Sequence, residues 1–165
     1  MAQTIANVIT GVAVLSIRCP AVDGGVWTEV GYTEDGVTME YTADTADIEV
    51  EEETVPLERV ITKETIAVTC NMAETSLYNI DKAIAGSIHA GAVLTIGGGV
   101  NKEMSIQIVG TTTHGGYTAV TILIPLATAL GTVGMSYRKG EKTMVPVTFQ
   151  ALKGAAAPCT ITFST

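Results

Sequence analysis

Aromatic residues make up only 5% of this 165-residue chain, and one long block of it contains no cation at all. With so few rings, the core must be filled by Val, Ile, Leu, Met and Ala fitting one another by shape, not by ring stacking. Cysteine is equally sparse. Cys19, Cys70 and Cys159 are odd in number, widely spaced and outside any CxxC unit. That excludes a disulfide framework and a thiolate metal site, and leaves free, reduced thiols in a cytosolic assembly as the expectation. Charged residues are 16% of the chain against 47% hydrophobic, which excludes intrinsic disorder, because so apolar a chain buries enough surface to offset its ordering entropy. The length suits one core and one domain spanning residues 1–165.

The apolar N-terminal run MAQTIANVITGVAVLSIRCP has no basic leader before it, so no secretory signal is expected. The uncharged stretch 118–135, TAVTILIPLATALGTVGM, is long enough to mimic a membrane span. Pro125 interrupts it, and Thr118, Thr121, Thr128 and Thr132 recur through it, so buried β-strands are expected there and no membrane span.

The missing cations give the charge its pattern. From 19 to 58 there are twelve carboxylates and no Lys or Arg, whereas the remaining residues hold nine cations against five carboxylates. The net charge of -8 is thus about -12 in one block and about +4 elsewhere. Such asymmetry suits a subunit that docks head to tail on copies of itself, since one pole attracts the other while like poles repel. A solubilising acidic face is the plainer alternative, because carboxylates are mostly exposed wherever they occur.

Period-two alternation dominates the rest. Val37, Met39 and Tyr41 share one face, with Thr38 and Glu40 on the other. Glu34-Asp35-Gly36 reads as a turn, predicting a hairpin between 27–33 and 37–42. Ile48 and Val50 alternate with Glu49 and Glu51. Over 59–72, Ile66, Val68, Cys70 and Met72 face inward. Further strands are expected over 93–96, 103–109, 117–124, 132–138, 143–152 and 159–164, with Pro146 marking an edge or a bulge. Once the period changes. Leu77, Ile80 and Ile84 are spaced as a helical face, Thr75 or Ser76 stands ready to cap it, and Gly86 lies where it would end. The pattern predicts a mainly β fold, an antiparallel β-sandwich or partly rolled barrel flanked by one short α-helix of about ten residues packed through that stripe.

No reactive constellation emerges. Asp44, Asp47 and Glu49 lack the spacing of a calcium loop. TIGGGVNKE resembles a phosphate loop only loosely, since Lys102 precedes Glu103 and a strand follows; a hairpin turn is expected instead. His89 and His114 sit among glycines with no Cys at ligand spacing, and Ser76 and Ser105 have no evident His and Asp partners. No catalytic residue, cofactor or metal is therefore assigned, and the chain is not expected to be an enzyme. Trp27 is either an interface anchor or a core residue.

The phrases WTEVGYTEDGV (27–37), TKET (62–65) and ETSLYNIDKAIA (74–85), with the acidic amphipathic stretch among them, resemble the tail tube (major tail) proteins of long-tailed bacteriophages over roughly the first half of the chain. The resemblance implies a β-sandwich flanked by one helix and a virion structural protein. Hexameric rings of it would stack into a tube that carries double-stranded DNA from capsid to cell. The partners it implies are further copies, the tape measure protein and the tail terminator, with assembly in the bacterial cytoplasm. An acidic lining would let DNA pass without the counterion release that holds it on a basic surface. The resemblance also implies a long ring-stacking loop after the first hairpin. An extended acidic loop is accordingly expected at 44–58, carrying Asp44, Asp47, Glu49, Glu51, Glu52 and Glu53, with Arg18, Lys102, Arg138, Lys139 and Lys142 as complementary cations. Another virion β-domain, such as a capsid decoration or tail terminator protein, is the alternative.

Overall fold

Alternating sequence becomes alternating burial. A computed structural model describes residues 11–112, 116–130, 133–135 and 138–165. In it the strands are β1 (Ala13–Arg18), β2 (Thr28–Glu29), β3 (Thr33–Ile48), β4 (Glu58–Met72), β5 (Ser87–Ala90), β6 (Val93–Ile96), β7 (Glu103–Thr111), β8 (Ala119–Ala129), β9 (Val145–Ala151) and β10 (Thr160–Ser164). Two helices join them, α1 (Pro20–Asp23) and α2 (Leu77–Ala83). Eight strands form one antiparallel sheet in the order β2-β1-β7-β8-β9-β4-β3, with β10 also on β8; β5 and β6 pair separately. No helix among the described residues is long and apolar enough to cross a membrane.

One cluster fills the interior. Leu15 and Ile17 of β1, Ile66, Val68, Cys70 and Met72 of β4, Met104, Ile106 and Ile108 of β7, and Val145, Val147 and Phe149 of β9 all point into it. These are the inward sets that period two prescribes. Strands as far apart in the sheet as β1 and β4 share this core, and β1 also touches β3 at the opposite edge, so the sheet rolls into a partial barrel. The split occurs at β8, whose one side is shared between β10 (Thr160↔Leu123 to Ser164↔Ala119) and β9 (Ala127↔Ala151 to Ala129↔Phe149).

Pro125 leaves its mark on the register. Between Met104 and Ile106 of β7, β8 runs from Ala127 to Ile124, one residue more than its partner. The extra residue is a bulge, which shifts the inward set from Ile122 and Ile124 to Ala127 and Ala129. Ser105 Oγ donates to the Pro125 carbonyl at 2.8 Å. Pro146, as expected, lies in the part of β9 that pairs with β4 alone.

Several local expectations are corrected. The segment 27–33 does not pair with 37–42: Thr28 and Glu29 pair with Ile17 and Ser16. Glu34-Asp35-Gly36 is a bulge inside β3, where Glu34↔Asn71 is followed by Val37↔Cys70. Asp35 and Gly36 take φ 61 and 78 there, a left-handed pair that absorbs the extra residues without reversing the chain. The acidic loop is shorter than 44–58, because the β3–β4 ladder continues from Asp44↔Lys63 to Ile48↔Glu58. In the expected strand 132–138, residues 133–135 and 138 are irregular and the others lie outside the described residues, as does His114. The glycines of 97–99 form no hairpin turn, since β6 pairs with β5 and β7 with β1. They fold back on Gly86, whose carbonyl accepts from the N–H groups of Gly97 (3.0 Å) and Gly99 (3.2 Å). A Cβ on Gly99 would stand 2.8 Å from that carbonyl oxygen.

Phe149 is 1% exposed at the centre of the cluster. Phe149→Ala is expected to cost about 3–5 kcal/mol through lost transfer energy and the cavity left behind, whereas Ile161→Ala on half-exposed β10 should cost well under half as much. Urea unfolding of both variants checks the ranking.

Candidate assembly interface

The two ends of the sheet differ in kind. Each step from β3 through β4, β9, β8 and β7 to β1 is antiparallel, so strand direction assigns every connection to one end or the other. At the end where β3 finishes, the β3–β4 ladder leaves the body. Nearly every residue from 40 to 64 is exposed on both faces of this hairpin. Backbone pairing and a few cross-strand contacts hold the arm. Arg59 grips Asp47 through Nε (2.6 Å) and a terminal nitrogen (2.9 Å), and that guanidinium holds the Asp47 carboxyl below the usual carboxylate range. Tyr41 donates to Glu64 at 2.8 Å, which raises the phenol. Thr62 Oγ1 donates to the Asp44 carbonyl at 3.1 Å.

Asp44 and Asp47 thus lie on β3, while Glu49, Glu51, Glu52 and Glu53 lie in the loop 49–57 at the tip. Seven carboxylates and no cation fall between 44 and 58. Exposed Ile48, Val50, Val55 and Leu57 are interleaved with them. The alternation with Glu49 and Glu51 marks Ile48 and Val50 in the sequence, but not Val55 and Leu57.

The opposite end collects the expected cations, in two different conditions. Arg138, Lys139 and Lys142 stand on an exposed turn ahead of β9, where Lys142 pairs with Glu34 at the start of β3 and Arg138 lies 3.6 Å from Glu141. Arg18 is exposed at the end of β1; it donates to Ser105 Oγ at 3.2 Å and covers the Trp27 ring at 5.4 Å. Lys102 is no docking cation. It is buried against Asp81, donating also to the Asp81 carbonyl (3.1 Å) and to Ser87 Oγ (2.8 Å). The site of positive charge is therefore the turn 138–142, since the end as a whole also carries Glu29, Glu74 and Glu103.

Helix α2 explains where two of the nine cations went. Its expected apolar stripe is not the buried one: Leu77 is exposed, Ile80 is partly buried against the core, and Ile84 is only the C-cap. Asn79, Asp81, Lys82 and Ala83 are buried instead. Polar groups are tolerated inside because each meets a partner. Asn79 Nδ2 donates to the carbonyls of Val30 and Glu74, both at 2.9 Å. Lys82 meets Asp23 at 3.0 Å and also donates to Thr28 Oγ1. Burial pushes the Asp23 carboxyl up, but hydrogen bonds from Lys82 and the Cys19 and Gly25 amides outweigh it and leave it lowered. Ser76 caps the helix, accepting from the Asn79 N–H at 3.2 Å. These partners come from α1 and the approach to β7, which no pattern within the helix announces.

The described residues hold no group of three or more His, Cys, Asp or Glu able to bind a metal. Cys19 and Cys70 are buried and Cys159 partly so, all free. Burial pushes the Cys70 thiol up to about 12 and raises Cys19 and Cys159 as well.

No protein-family model and no curated protein sequence matches the chain. Among the solved structures that align with the chain are two chains from larger particles. One is a chain of the tail of an empty GTA particle, refined helically with C6 symmetry, at a TM-score of 0.49 and 7% identity over 99% of this chain and 100% of that one. Another is a chain of the anti-feeding prophage baseplate, symmetrised six-fold, at 0.47 and 7% over 100% of this chain and 95% of that one. Likeness at this level concerns the fold alone.

Lys102→Met strands the buried Asp81 charge and is expected to cost about 3–5 kcal/mol, most of it recovered in the double variant Asp81→Leu, Lys102→Met; chemical denaturation of the three proteins decides this. The Asp23 carboxyl is lowered on folding, so its contribution is in place above its unfolded value near 3.8 and is lost as pH falls through the folded one. Asp23→Asn should therefore flatten the acid limb of the stability profile. For Cys70 the sign reverses: a thiol raised from 9.0 to about 12 favours the fold below pH 9.0 and loses that contribution as pH rises toward 12. At mildly alkaline pH, iodoacetamide should label Cys70 only as fast as the protein opens, measured by mass spectrometry with and without denaturant.

Proposed function

We propose that the chain is a structural subunit of a phage tail, stacking head to tail in six-membered rings to form a tube through which double-stranded DNA passes. The observation that carries this reading is the arrangement along β3. The acidic, apolar-studded tip follows Ile48 at one end, and the basic turn 138–142 meets Glu34 at the other. Fourteen residues of strand separate them, roughly 40–45 Å at about 3.3 Å per residue. Opposite charges at opposite ends of one long strand give complementary faces to successive copies, a heterologous contact that propagates without closing.

The sequence resemblance to tail tube proteins supports the ring number and the role of the arm, and it brings in the tape measure and terminator proteins as partners. A predominantly acidic subunit has little hold on DNA phosphates, as a conduit requires. The reading gives the chain no catalytic role, and it locates the protein in the virion after assembly in the host cytoplasm. A capsid decoration or terminator subunit would form a single layer; an arm projecting well beyond the body favours the stack.

Electron microscopy of the purified protein should show open-ended tubes of stacked rings. Replacing Glu51, Glu52 and Glu53 with Lys should abolish them and alter their salt dependence, whereas tubes unchanged by that triple replacement would remove the stacking role. Persistent monomers or single closed rings of the native chain would remove the tube itself.

A further inference from the structure

Residues 83–101 contain no Asp, Glu, Lys or Arg. Within them β5 and β6 form a hairpin with a two-residue turn at Gly91 and Ala92, where Gly91 takes φ 63, the geometry a tight II′ turn asks of its first central residue. Ile88 and Val93 lie on the hairpin's outward face, exposed by 51% and 63%. Ile96 pairs with Ser87 and so lies on the other face, the one from which His89 meets α2; it is exposed as well, as are Val100 and, on α2, Leu77 and Tyr78. Tyr78 stands edge-on to His89 with ring centroids 5.0 Å apart, and His89 Nε2 lies 2.8 Å from the Gly91 carbonyl, so the turn is braced against the helix. Single exposed aliphatic side chains are ordinary, but Ile88 and Val93 stand together on one face of an uncharged hairpin, as an interaction surface requires.

Its position matters as much as its composition. The hairpin follows β4 and α2 and precedes β7, which puts it at the end of the sheet opposite the arm. Helix α2 touches both β5 and β9, so the hairpin and the basic turn that leads into β9 flank one helix. The arm tip presents the matching combination: Val50, Val55 and Leu57 exposed, with Glu51, Glu52 and Glu53 among them.

We propose that the arm tip of one copy seats on the β5–β6 hairpin of the next. Val50, Val55 and Leu57 cover Ile88 and Val93, and Glu51 to Glu53 turn toward Arg138, Lys139 and Lys142. The occupant is a second copy because the tip needs an apolar seat free of carboxylates, and the hairpin provides one beside a cationic turn. Apolar burial then supplies the hold, while charge selects the orientation. This rests on the head-to-tail assembly proposed above.

The test uses the full chain carrying Val55→Cys and Val93→Cys, assembled and then oxidised. The expected result is a ladder of disulfide-linked multimers on a non-reducing gel, absent from either single variant and from the native chain. Tubes seen by electron microscopy that give no ladder from this pair, or that give one only when Val55→Cys is combined with Lys139→Cys, overturn the seat and leave the tube intact. Failure of the native chain to form tubes overturns both. As a second measurement, Val93→Glu should lower tube yield by roughly tenfold or more through like-charge contact, with an unchanged melting temperature, and Glu52→Lys should restore it. Undiminished yield in Val93→Glu would also overturn the seat.

Discussion

The ladder between β3 and β4 is the constraint on which both the body and the arm depend. Its first half, Thr33↔Met72 to Tyr41↔Ile66, is fixed by burial, because Val68, Cys70 and Met72 lie in the core and Val37 and Met39 pack against it. The second half has no such support. A two-stranded hairpin is marginal by itself in water, so the order of the arm is inherited from the register set below it, helped by Asp47–Arg59, Tyr41–Glu64 and Thr62. Rigid continuation of a core strand is an economical way to hold a charged tip far from the body. A free loop of the same length would lose much of its docking energy to ordering.

At the other end the sheet is closed by buried charge as well as by Ile80 and Ala83. Helix α2 turns Asn79, Asp81 and Lys82 inward and leaves Leu77 and Tyr78 outside. The buried pairs with Asp23 and Lys102 contribute little net stability against a well-packed apolar alternative, but they are costly to break singly. They fix the helix in one place and withdraw two lysines from the surface. With Arg59 and Lys63 on the arm, the positive charge left for contacts at this end is Arg18 and the turn 138–142. The same inversion frees the apolar side chains of α2 and the β5–β6 hairpin to face outward.

Much of the body was legible because side-chain facing in a strand is local. The inward set on β4 follows from period two, and the helix start at Thr75 or Ser76 from their hydroxyls, of which that of Ser76 caps. Less legible were the partners. Thr28 and Glu29 join β1 across the chain, and Glu34-Asp35-Gly36 has the composition of a turn yet serves as a bulge, because turn-forming residues permit left-handed backbone without dictating that the chain reverse. The expected loop at 44–58 also conceals its pairing: with solvent on both faces, Asp44 to Ile48 show little of the one-sided alternation that marks a half-buried strand.

By itself the sequence determined what faces inward along β4, that one block is anionic and cation-free, and that no reactive constellation is spelled out. Those properties are set by neighbours a few residues apart. The tertiary structure alone decided which strands pair, that Asp44 to Ile48 of the acidic block are ladder and not loop, which cations are buried with Asp23 and Asp81, and that an uncharged hairpin lies at the end opposite the tip. Backbone hydrogen bonds carry no residue label, and a buried lysine is written with the same letter as a free one. Only contacts between residues far apart in the chain tell them apart.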